Sequence, residues 1–203
     1  MDKHTFITEQ LVNRGITNPR VLEAFKKIPR EEFISERFKE NAYNDSALPI
    51  GHGQTISQPY TVAYMTQLLG PKEEDTILEI GTGSGYQSAI LSKLVKKVYT
   101  IEIIEELSNR AREKFKKLGI TNVECIKGSG EPGLPQYAPY DGIIVTAGAK
   151  QIPKALRKEL KDGGRLVIPV GANDIKIMTR ITKHGDTYQE EKFGKFTFVP
   201  LVG

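Results

Sequence analysis

The spacing of hydrophobic residues changes near residue 70 and divides the chain into two kinds of segment. Over residues 1–40, apolar side chains recur at the three- and four-residue intervals of amphipathic helices, at Phe6, Leu11, Val21, Leu22, Phe25, Phe33 and Phe38. Asn18-Pro19 begins a second helix there, because asparagine caps helices and proline suits a first turn. Residues 41–58 lose the periodicity and are predicted as a loop, which a helix over 59–69 follows.

Beyond residue 70, short apolar runs alternate with amphipathic segments, which is typical of a parallel sheet covered by helices. The apolar runs predict strands at 76–80, 98–102, 122–127, 141–146 and 164–169, and the other segments predict helices at 86–95, 104–118 and 151–161. The last part of the chain alternates apolar and polar residues on both sides of a Gly185-Asp186 turn. That alternation predicts a pair of antiparallel strands.

Together these elements predict an α/β fold, a doubly wound Rossmann-like sheet with an N-terminal helical cap and C-terminal antiparallel strands. We interpret residues 1–203 as one domain. Residues 1–70 form its helical cap and a functional loop, 71–171 its ligand-binding core, and 172–203 its antiparallel edge. Ligands of such sheets bind beyond the carboxyl ends of the strands, so the loops after the first four strands are candidate binding segments.

A glycine-rich loop follows the first predicted strand and indicates a nucleotide-binding βαβ unit. Its glycines are Gly81, Gly83 and Gly85. They allow the backbone to turn sharply and to lie against a ligand, while the next helix directs its N–H groups toward the site. Glu102 ends the second predicted strand, where its carboxylate can accept both hydroxyls of a ribose.

Two details of this unit favour S-adenosylmethionine over a dinucleotide. The glycines do not follow the G-x-G-x-x-G spacing that seats a pyrophosphate, because position 86 is Tyr. Glu79 adds a negative charge that suits the cationic amino group of S-adenosylmethionine. NAD, FAD and a purely structural turn remain the alternatives at this point. The candidate cofactor-binding residues are Glu79, Gly81, Thr82, Gly83, Ser84, Gly85, Gln87 and Glu102, with Gly128 and Ser129 after the third strand.

A second motif, Gln54-Thr-Ile-Ser-Gln-Pro-Tyr60, places hydroxyl residues directly before a helix that opens at Pro59. Ser57 or Gln58 can cap that helix. The same hydroxyls and the free N–H groups of the helix can instead hold a carboxylate. The spacing alone does not choose between the two interpretations.

Several stretches resemble the protein L-isoaspartate O-methyltransferase family over nearly the whole chain. They lie at 28–33, 42–45, 48–59, 78–87, 138–147, 164–171 and 198–201, and Gly-His-Gly-Gln-Thr-Ile-Ser-Gln-Pro59 carries the most specific pattern. The resemblance implies methyl transfer from S-adenosylmethionine to the carboxylate of L-isoaspartyl residues in damaged proteins, with S-adenosylhomocysteine as product. The methyl ester then closes to a succinimide, whose hydrolysis returns some normal aspartate.

The resemblance also implies roles for individual residues. Ser57 corresponds to the active-site serine of the family, and we interpret it as a holder of the substrate carboxylate, because an ionised carboxylate needs no general base. The candidate substrate-binding residues are Gln54, Thr55, Ile56 and Val199, although Val199 can equally be a core strand residue. One departure is Gly128-Ser129-Gly130, where the family usually has Gly-Asp-Gly. Ser129 can accept the adenine amino group's hydrogen bond only without charge assistance.

Composition and charge indicate which kinds of site, location and partner to expect. The chain has 203 residues, 38% of them hydrophobic, a net charge of +4, one cysteine and three histidines. No disulfide or metal site is expected, and neither a membrane span nor a signal peptide is indicated. The basic run Arg110 to Lys117 lies among glutamates at helical spacing, which indicates a solvated helix face. We therefore expect a cytoplasmic monomer that binds no nucleic acid.

Two other functions remain open. One is methylation of RNA or of a small molecule. The sequence argues against base methylation, because Val145-Thr-Ala-Gly148 occupies the position where an Asn/Asp-Pro-Pro-Tyr/Phe tetrapeptide would orient a base amino group. The other is a non-catalytic sensor of S-adenosylmethionine or another nucleotide.

Overall fold

A seven-stranded sheet forms the centre of the computed structural model, which describes residues 3–201. The strands are β3 Thr76–Ile80, β4 Lys97–Glu102, β5 Val123–Lys127, β6 Tyr140–Val145, β7 Leu160–Val170, β8 Ile175–His184 and β9 Thr187–Thr197, after a separate hairpin of β1 Leu48–Gly51 and β2 Gln54–Ile56. Their order in the sheet is β5-β4-β3-β6-β7-β8-β9. Strands β3 to β7 run parallel, and β8 and β9 extend the sheet antiparallel.

The helix predicted over 59–69 has the predicted bounds, whereas the helices predicted over 86–95, 104–118 and 151–161 are shorter than predicted. The helices are α1 Lys3–Phe6, α2 Pro19–Lys27, α3 Pro59–Leu69, α4 Tyr86–Ser92, α5 Glu105–Lys117 and α6 Lys154–Lys158. A five-residue π-helix, Ile7–Leu11, and short 3₁₀ turns, including Arg30–Phe33 and Glu36–Asn41, complete the N-terminal cap. The side chain of Asn18 accepts hydrogen bonds from two N–H groups at the start of α2, as its position before Pro19 predicts.

The sheet lies between two layers of apolar side chains, and this arrangement confirms the predicted doubly wound class. One layer packs the N-terminal cap, α3, α4 and α5 against the sheet, and the other includes Leu156 of α6. Tyr86, the first residue of α4, is buried between the rings of Phe25 and Phe33, at centroid distances of 5.9 and 5.5 Å. The cap therefore packs directly on the helix that follows the glycine loop.

The chain changes direction in the sheet between β3 and β6. From β3 the order runs through β4 to β5 on one side, and through β6 to β7 on the other. Loops leaving neighbouring strands toward opposite faces leave a crevice at such a point, and ligands of α/β sheets bind there. The crevice lies at the carboxyl ends of β3 and β6, where the sequence places the glycine loop.

Two predicted segments differ from the structure. The predicted loop over 41–58 contains the β1–β2 hairpin, in which Leu48 pairs with Ile56 and Pro49 with Thr55. Strands of three and four residues are too short to produce a periodic signal. The predicted helix over 151–161 is wrong at both ends, because α6 begins only at Lys154, after Pro153, and Leu160 already pairs with Tyr140 and begins β7.

Arg30 ties the cap to the segments on both sides of the hairpin. Its side chain is fully buried and donates hydrogen bonds to the main-chain oxygens of Ala42, Ser46 and Ser57, at 2.5, 3.1 and 3.0 Å. Burial lowers the pKa of Arg30 from its ordinary value, but an arginine side chain stays charged. Three carbonyl groups from both sides of the hairpin thus share one cation.

We expect Arg30→Met to lower the free energy of unfolding by about 3 kcal/mol or more, because three carbonyl oxygens lose their donor. Urea unfolding would measure the change. Arg37→Met is the matched control, since Arg37 is exposed and rests on the ring of Phe38; its effect should stay within about 0.5 kcal/mol. Equal effects of the two substitutions would contradict this role of Arg30.

Candidate active site

The glycine loop joins β3 to α4 at the crevice and is held from both sides. Gly81, Gly83 and Gly85 have φ angles of 95°, 53° and 88°, in the left-handed region that favours glycine. A Cβ atom on Gly81 would lie 2.6 Å from the Thr146 hydroxyl, which itself donates to the Gly81 carbonyl oxygen at 2.6 Å. The loop therefore lies directly against the end of β6.

The Glu102 carboxylate fixes the loop from the side of β4. One of its oxygens accepts the Gly83 N–H at 2.8 Å, and the other accepts the Ile104 N–H at 2.9 Å. Each oxygen keeps a further lone pair for a ligand. Glu102 is 6% exposed and lines two cavities, one on each side of it.

These two small cavities follow the carboxyl edge of the sheet. The inner cavity, about 70 Å³, lies between the glycine loop and β2, and the rim cavity, about 60 Å³, lies between Glu102 and the loop after β5. The inner cavity is lined by most of the predicted site residues: Gln54, Thr55, Ile56, Ser57, Gly81, Thr82, Gly83, Ser84, Gln87, Glu102 and Val199. Gly128 lines the rim cavity.

An outer groove of about 720 Å³ opens from the inner cavity toward the surface. Aromatic side chains of α3 and of the C-terminal segment line it, among them Tyr60, Phe196 and Phe198. The residues common to the groove and the inner cavity are Thr55, Ser57, Thr146 and Val199. A molecule in the groove can therefore meet a molecule in the inner cavity at these four residues.

Val199 lies beyond the end of β9, so it is not a residue of the core strand. Its carbonyl oxygen accepts the Gly148 N–H at 2.8 Å, and Leu201 N–H donates back to the Gly148 oxygen at 2.9 Å. These bonds hold the C-terminal segment across the loop that follows β6. Val199 consequently forms a wall between the inner cavity and the outer groove.

Helix α3 is capped by a residue that the sequence pattern does not identify. Gln58 occupies the cap position, but its side chain makes no capping bond. The Asp45 carboxylate instead accepts the Tyr60 N–H at 2.9 Å, and Asp45 also pairs with Arg14. Because Asp45 supplies the cap, Ser57 is not needed for it, and its side chain belongs to the lining of the inner cavity.

Three predicted cofactor residues do not line the inner or the rim cavity: Glu79, Gly85 and Ser129. Glu79 is completely buried beneath the loop, and one of its oxygens accepts a hydrogen bond from Ser88. Burial is the main cause that raises the pKa of Glu79 to about 8, and the charge of Glu102 adds to it, while bonds from Ser88 and Thr100 act in the opposite direction.

Several buried polar atoms close to the cavities make no hydrogen bond. They are Glu79 Oε1, Gln87 Oε1 and Ser129 Oγ. The amide nitrogen of Gln87 donates to the Thr66 hydroxyl at 2.9 Å, which fixes the side chain with its oxygen unpaired. Buried polar atoms without a partner are rare in folded proteins, so their concentration at the carboxyl edge indicates a ligand-binding region.

Residues 3–201 contain no group of three His, Cys, Asp or Glu side chains that could hold a metal ion. Within the same range, no helix is long and apolar enough to cross a membrane. Cys125 lies beside the hydroxyls of Ser108 and Thr82, and burial raises the pKa of its thiol, which does not favour a reactive thiolate.

Comparison with known proteins identifies the family. A family model for protein-L-isoaspartate(D-aspartate) O-methyltransferase matches residues 2–203. The chain belongs to this family. A Protein-L-isoaspartate O-methyltransferase 2 of Pelobacter propionicus is 50% identical, covering 99% of this chain and 90% of its own. A Protein-L-isoaspartate O-methyltransferase of Flavobacterium psychrophilum is 52% identical, covering 98% of this chain and 96% of its own.

Solved structures of the O-methyltransferase family share the fold. A protein-L-isoaspartate O-methyltransferase aligns with a TM-score of 0.90 at 27% identity; the alignment covers all of this chain but 66% of that chain. A putative family member from Plasmodium falciparum, solved in complex with S-adenosyl-L-homocysteine, aligns with a TM-score of 0.85 at 25% identity, over 100% of this chain and 99% of the other. Both structural alignments confirm the Rossmann-like fold class and the resemblance of the sequence to the O-methyltransferase family.

The raised pKa of Glu79 predicts a pH dependence of stability. The folded, ligand-free protein holds a proton on Glu79 that the unfolded chain releases near the ordinary pKa of 4.5. The contribution to the free energy of unfolding is therefore complete below that value and is lost as pH rises toward about 8. We expect Glu79→Gln to remove this part of the decline, as measured by urea unfolding between about pH 5 and about pH 9.

The quantity to measure is the difference in the free energy of unfolding between the wild type and Glu79→Gln at each pH, because other groups titrate in the same pH range. Glu131→Gln serves as the control, since Glu131 is exposed. Parallel pH profiles for the wild type and Glu79→Gln would show that the Glu79 carboxyl titrates normally.

Proposed function

We propose that the protein is a repair methyltransferase, which transfers a methyl group from S-adenosylmethionine to the free carboxylate of L-isoaspartyl residues in damaged proteins. The ester then closes to a succinimide, and hydrolysis returns part of it to aspartate. The observation that carries the proposal is the junction at Thr55, Ser57, Thr146 and Val199. There, the inner cavity beside the glycine loop meets the outer groove of about 720 Å³, and we infer that this groove receives the peptide segment of the substrate.

The hydrogen bonds of the loop support a donor without phosphate. The N–H groups of Gly81 and Thr82 donate to the Ile101 carbonyl oxygen, and the Gly83 N–H donates to Glu102. These amides are thus not available to a pyrophosphate, which binds such loops through free N–H groups. The Glu102 carboxylate would also repel a phosphate, whereas ribose hydroxyls can donate to its remaining lone pairs.

The other candidate residues fit S-adenosylmethionine along the same edge. Gly81, Thr82, Gly83, Ser84 and Gln87 surround its methionine part in the inner cavity, and Gly128 and Ser129 lie by its adenine at the rim cavity. The unpaired oxygens of Gln87 and Ser129 are suited to accept N–H groups of the donor. Glu79 acts from beneath the loop: its negative charge, once a cation is bound nearby, favours that cation. Gly85 supplies the turn into α4.

The chain's main work in the reaction is to position two molecules. The donor supplies a methyl group on a cationic sulfur, and a carboxylate that is ionised near neutral pH can attack it without a general base. The hydroxyls of Ser57 and Thr55 orient the carboxylate, Gln54 and Ile56 complete its surroundings, and Val199 guides the peptide. Orientation of two reactants can lower a barrier by about 7–11 kcal/mol.

We also propose the substrates, the location, the oligomeric state and the domain organisation of the enzyme. It acts on isoaspartyl proteins and peptides as a cytoplasmic monomer of one methyltransferase domain, 1–203, without nucleic acid or a membrane as partner. Residues 1–70 provide the cap and substrate loop, 71–171 the donor-binding core and 172–203 the antiparallel edge. Methylation of RNA or of a small molecule, and a role as a nucleotide sensor, are not favoured, since the curated relatives are isoaspartate methyltransferases.

A paired peptide assay tests the proposal. One peptide carries an L-isoaspartyl residue, and the other has the same sequence with normal aspartate. The methyl group of labelled S-adenosylmethionine should enter only the first peptide and should be released by base, as expected of an ester. Equal labelling of both peptides, or labelling that resists base, would exclude the repair function.

We expect Ser57→Ala to slow methyl transfer about tenfold, because one hydrogen bond to the charged substrate carboxylate is lost. The affinity for S-adenosylhomocysteine should change little, as calorimetry can show. Thr121→Ala is the control, since Thr121 is exposed and lines neither the inner cavity, the rim cavity nor the outer groove. An unchanged rate in the Ser57 variant would remove this hydroxyl from the mechanism.

Ser129→Asp should bind S-adenosylhomocysteine more tightly, by about 1–2 kcal/mol, because a charged acceptor makes a stronger bond to the adenine amino group. Glu131→Gln in the wild-type background tests whether the neighbouring carboxylate already supplies this charge. A Ser129→Asp variant with no gain in affinity, together with an unaffected Glu131→Gln, would contradict the position of Ser129 beside the adenine.

A further inference from the structure

A further cavity lies on the α5 side of the glycine loop, and the proposed methyl transfer does not use it. Its volume is about 210 Å³, and we call it the α5 cavity. Ser35, Ser84, Arg110 and Lys114 supply its polar lining, and Phe33 is among its apolar residues. Gly83 and Ser84 line both this cavity and the inner cavity, so the glycine loop is the wall between them.

Two cations face the α5 cavity without a carboxylate partner. Arg110 and Lys114 lie one turn apart on α5, and within residues 3–201 neither of them forms an ion pair. Arg110 donates one hydrogen bond, to the Ile50 carbonyl oxygen at 2.7 Å. The Lys114 ammonium lies 5.6 Å from the centre of the Phe33 ring.

The nearest acid does not neutralise this pair of charges. Glu32 binds Lys117 at 2.6 Å and has only a weak influence on Lys114. Like charges at i and i+4 destabilise a helix. Burial, with the repulsion of Arg110 as a second cause, lowers the pKa of Lys114 to about 8. An anion between the two side chains would relieve both the repulsion and the loss of solvation.

The donors of the α5 cavity come from three directions. The guanidinium fork and the ammonium lie on α5, Ser84 lies on the glycine loop, and Ser35 follows the 3₁₀ turn of the cap. A carboxylate offers two oxygens in one plane, whereas a phosphate or sulfate group offers three or four oxygens around a centre. The arrangement therefore fits a tetrahedral oxyanion better than a planar one.

We propose that the α5 cavity is a second ligand site, which binds a tetrahedral oxyanion: inorganic phosphate, or the phosphoryl group of a small metabolite. Arg110 and Lys114 supply the charge, and the hydroxyls of Ser35 and Ser84 supply further donors. The site is separate from the methyl-donor site, although both rest on Gly83 and Ser84.

Sulfate is the first probe, because its charge does not change between pH 6 and pH 10. Calorimetric titration at pH 7 should show sulfate binding to the wild type. Binding should be weaker by about tenfold or more in Lys114→Gln and in Arg110→Gln, since each loses a charge-assisted hydrogen bond. Lys116→Gln is the control: Lys116 is an exposed lysine of the same helix, and its loss should leave the affinity unchanged.

Lys114→Gln is the decisive variant, because Arg110→Gln also frees the Ile50 carbonyl oxygen and can loosen the hairpin. Equal sulfate affinity in Lys114→Gln and Lys116→Gln, or no sulfate binding to the wild type, would overturn the proposal. Loss of sulfate binding at saturating S-adenosylhomocysteine would overturn it as well, since it would mean that the ion occupies the methyl-donor site.

The pH dependence of binding gives an independent readout. On α5, Arg110 and Lys117 lie one turn from Lys114, and on the adjoining 3₁₀ turn the charged residues are Arg30, Glu31 and Glu32. The other charged residues of these elements and of the second 3₁₀ turn are Glu105, Glu106, Arg112, Glu113 and Lys116 on α5, and Glu36, Arg37, Lys39 and Glu40; β1 and the glycine loop carry none. Lys114 loses its charge as pH rises through about 8. Sulfate affinity should therefore fall between pH 7 and pH 9 in the wild type, and it should stay constant in Lys114→Gln. Parallel profiles would contradict the proposal.

Two phosphate probes distinguish the sources of the ligand. Inorganic phosphate and glycerol 3-phosphate are titrated under the same conditions into the wild type and the Lys114 variant. Tighter binding of glycerol 3-phosphate supports a metabolite, and tighter or equal binding of inorganic phosphate supports the free ion. Failure of both to bind where sulfate binds would overturn the assignment to phosphate.

Discussion

The bridge that the Glu102 carboxylate makes between two main-chain amides is the interaction on which the candidate active site depends. It holds the Gly83 N–H of the glycine loop and the Ile104 N–H at the start of the next connection. A loop rich in glycine has the largest conformational entropy to lose on folding. The hydrogen bond from Gly83 to Glu102 holds the loop in a conformation with the inner and the rim cavity beside the carboxylate.

This bridge also determines which ligands the edge of the sheet can accept. The N–H groups of Gly81, Thr82, Gly83 and Gly85 are paired within the protein, so they do not form the anion-binding nest of a dinucleotide fold. The remaining lone pairs of the Glu102 carboxylate can accept hydrogen bonds, and the two hydroxyls of a ribose can donate them. The choice between a phosphate ligand and a nucleoside with a cationic chain thus follows from where a few N–H groups point.

The sequence was sufficient to predict the parallel core of the fold but not its smaller parts. Strands β3 and β6 are buried on both faces, so each appears as a largely apolar run, and the glycines mark the loop that joins β3 to α4. The β1–β2 hairpin was missed because three or four residues carry no period. Asp45 was missed as the cap of α3 because it lies fifteen residues before the Tyr60 N–H that it accepts.

The candidate site, too, could be predicted from the sequence only in part. Most predicted site residues line the inner cavity, since they follow motif positions. Glu79, however, lies beneath the loop, because the alternation of a strand directs it to the face opposite its neighbours. The interpretation of Arg110 to Lys117 as a solvated face fails at Lys114, which is half-buried. Helical periodicity identifies a polar face, but it cannot show that another segment covers part of it.

The hydrogen bonds of Arg30 do not depend on the side chains of the residues that it holds. The three oxygens that it holds belong to the main chain of Ala42, Ser46 and Ser57, and a main-chain oxygen is present whatever the side chain. Substitution at any of these positions leaves the anchor in place. At Ser57, which lines the inner cavity and the outer groove, a new side chain can thus appear while the framework keeps its shape, so the lining of the site can diversify without new stabilising contacts.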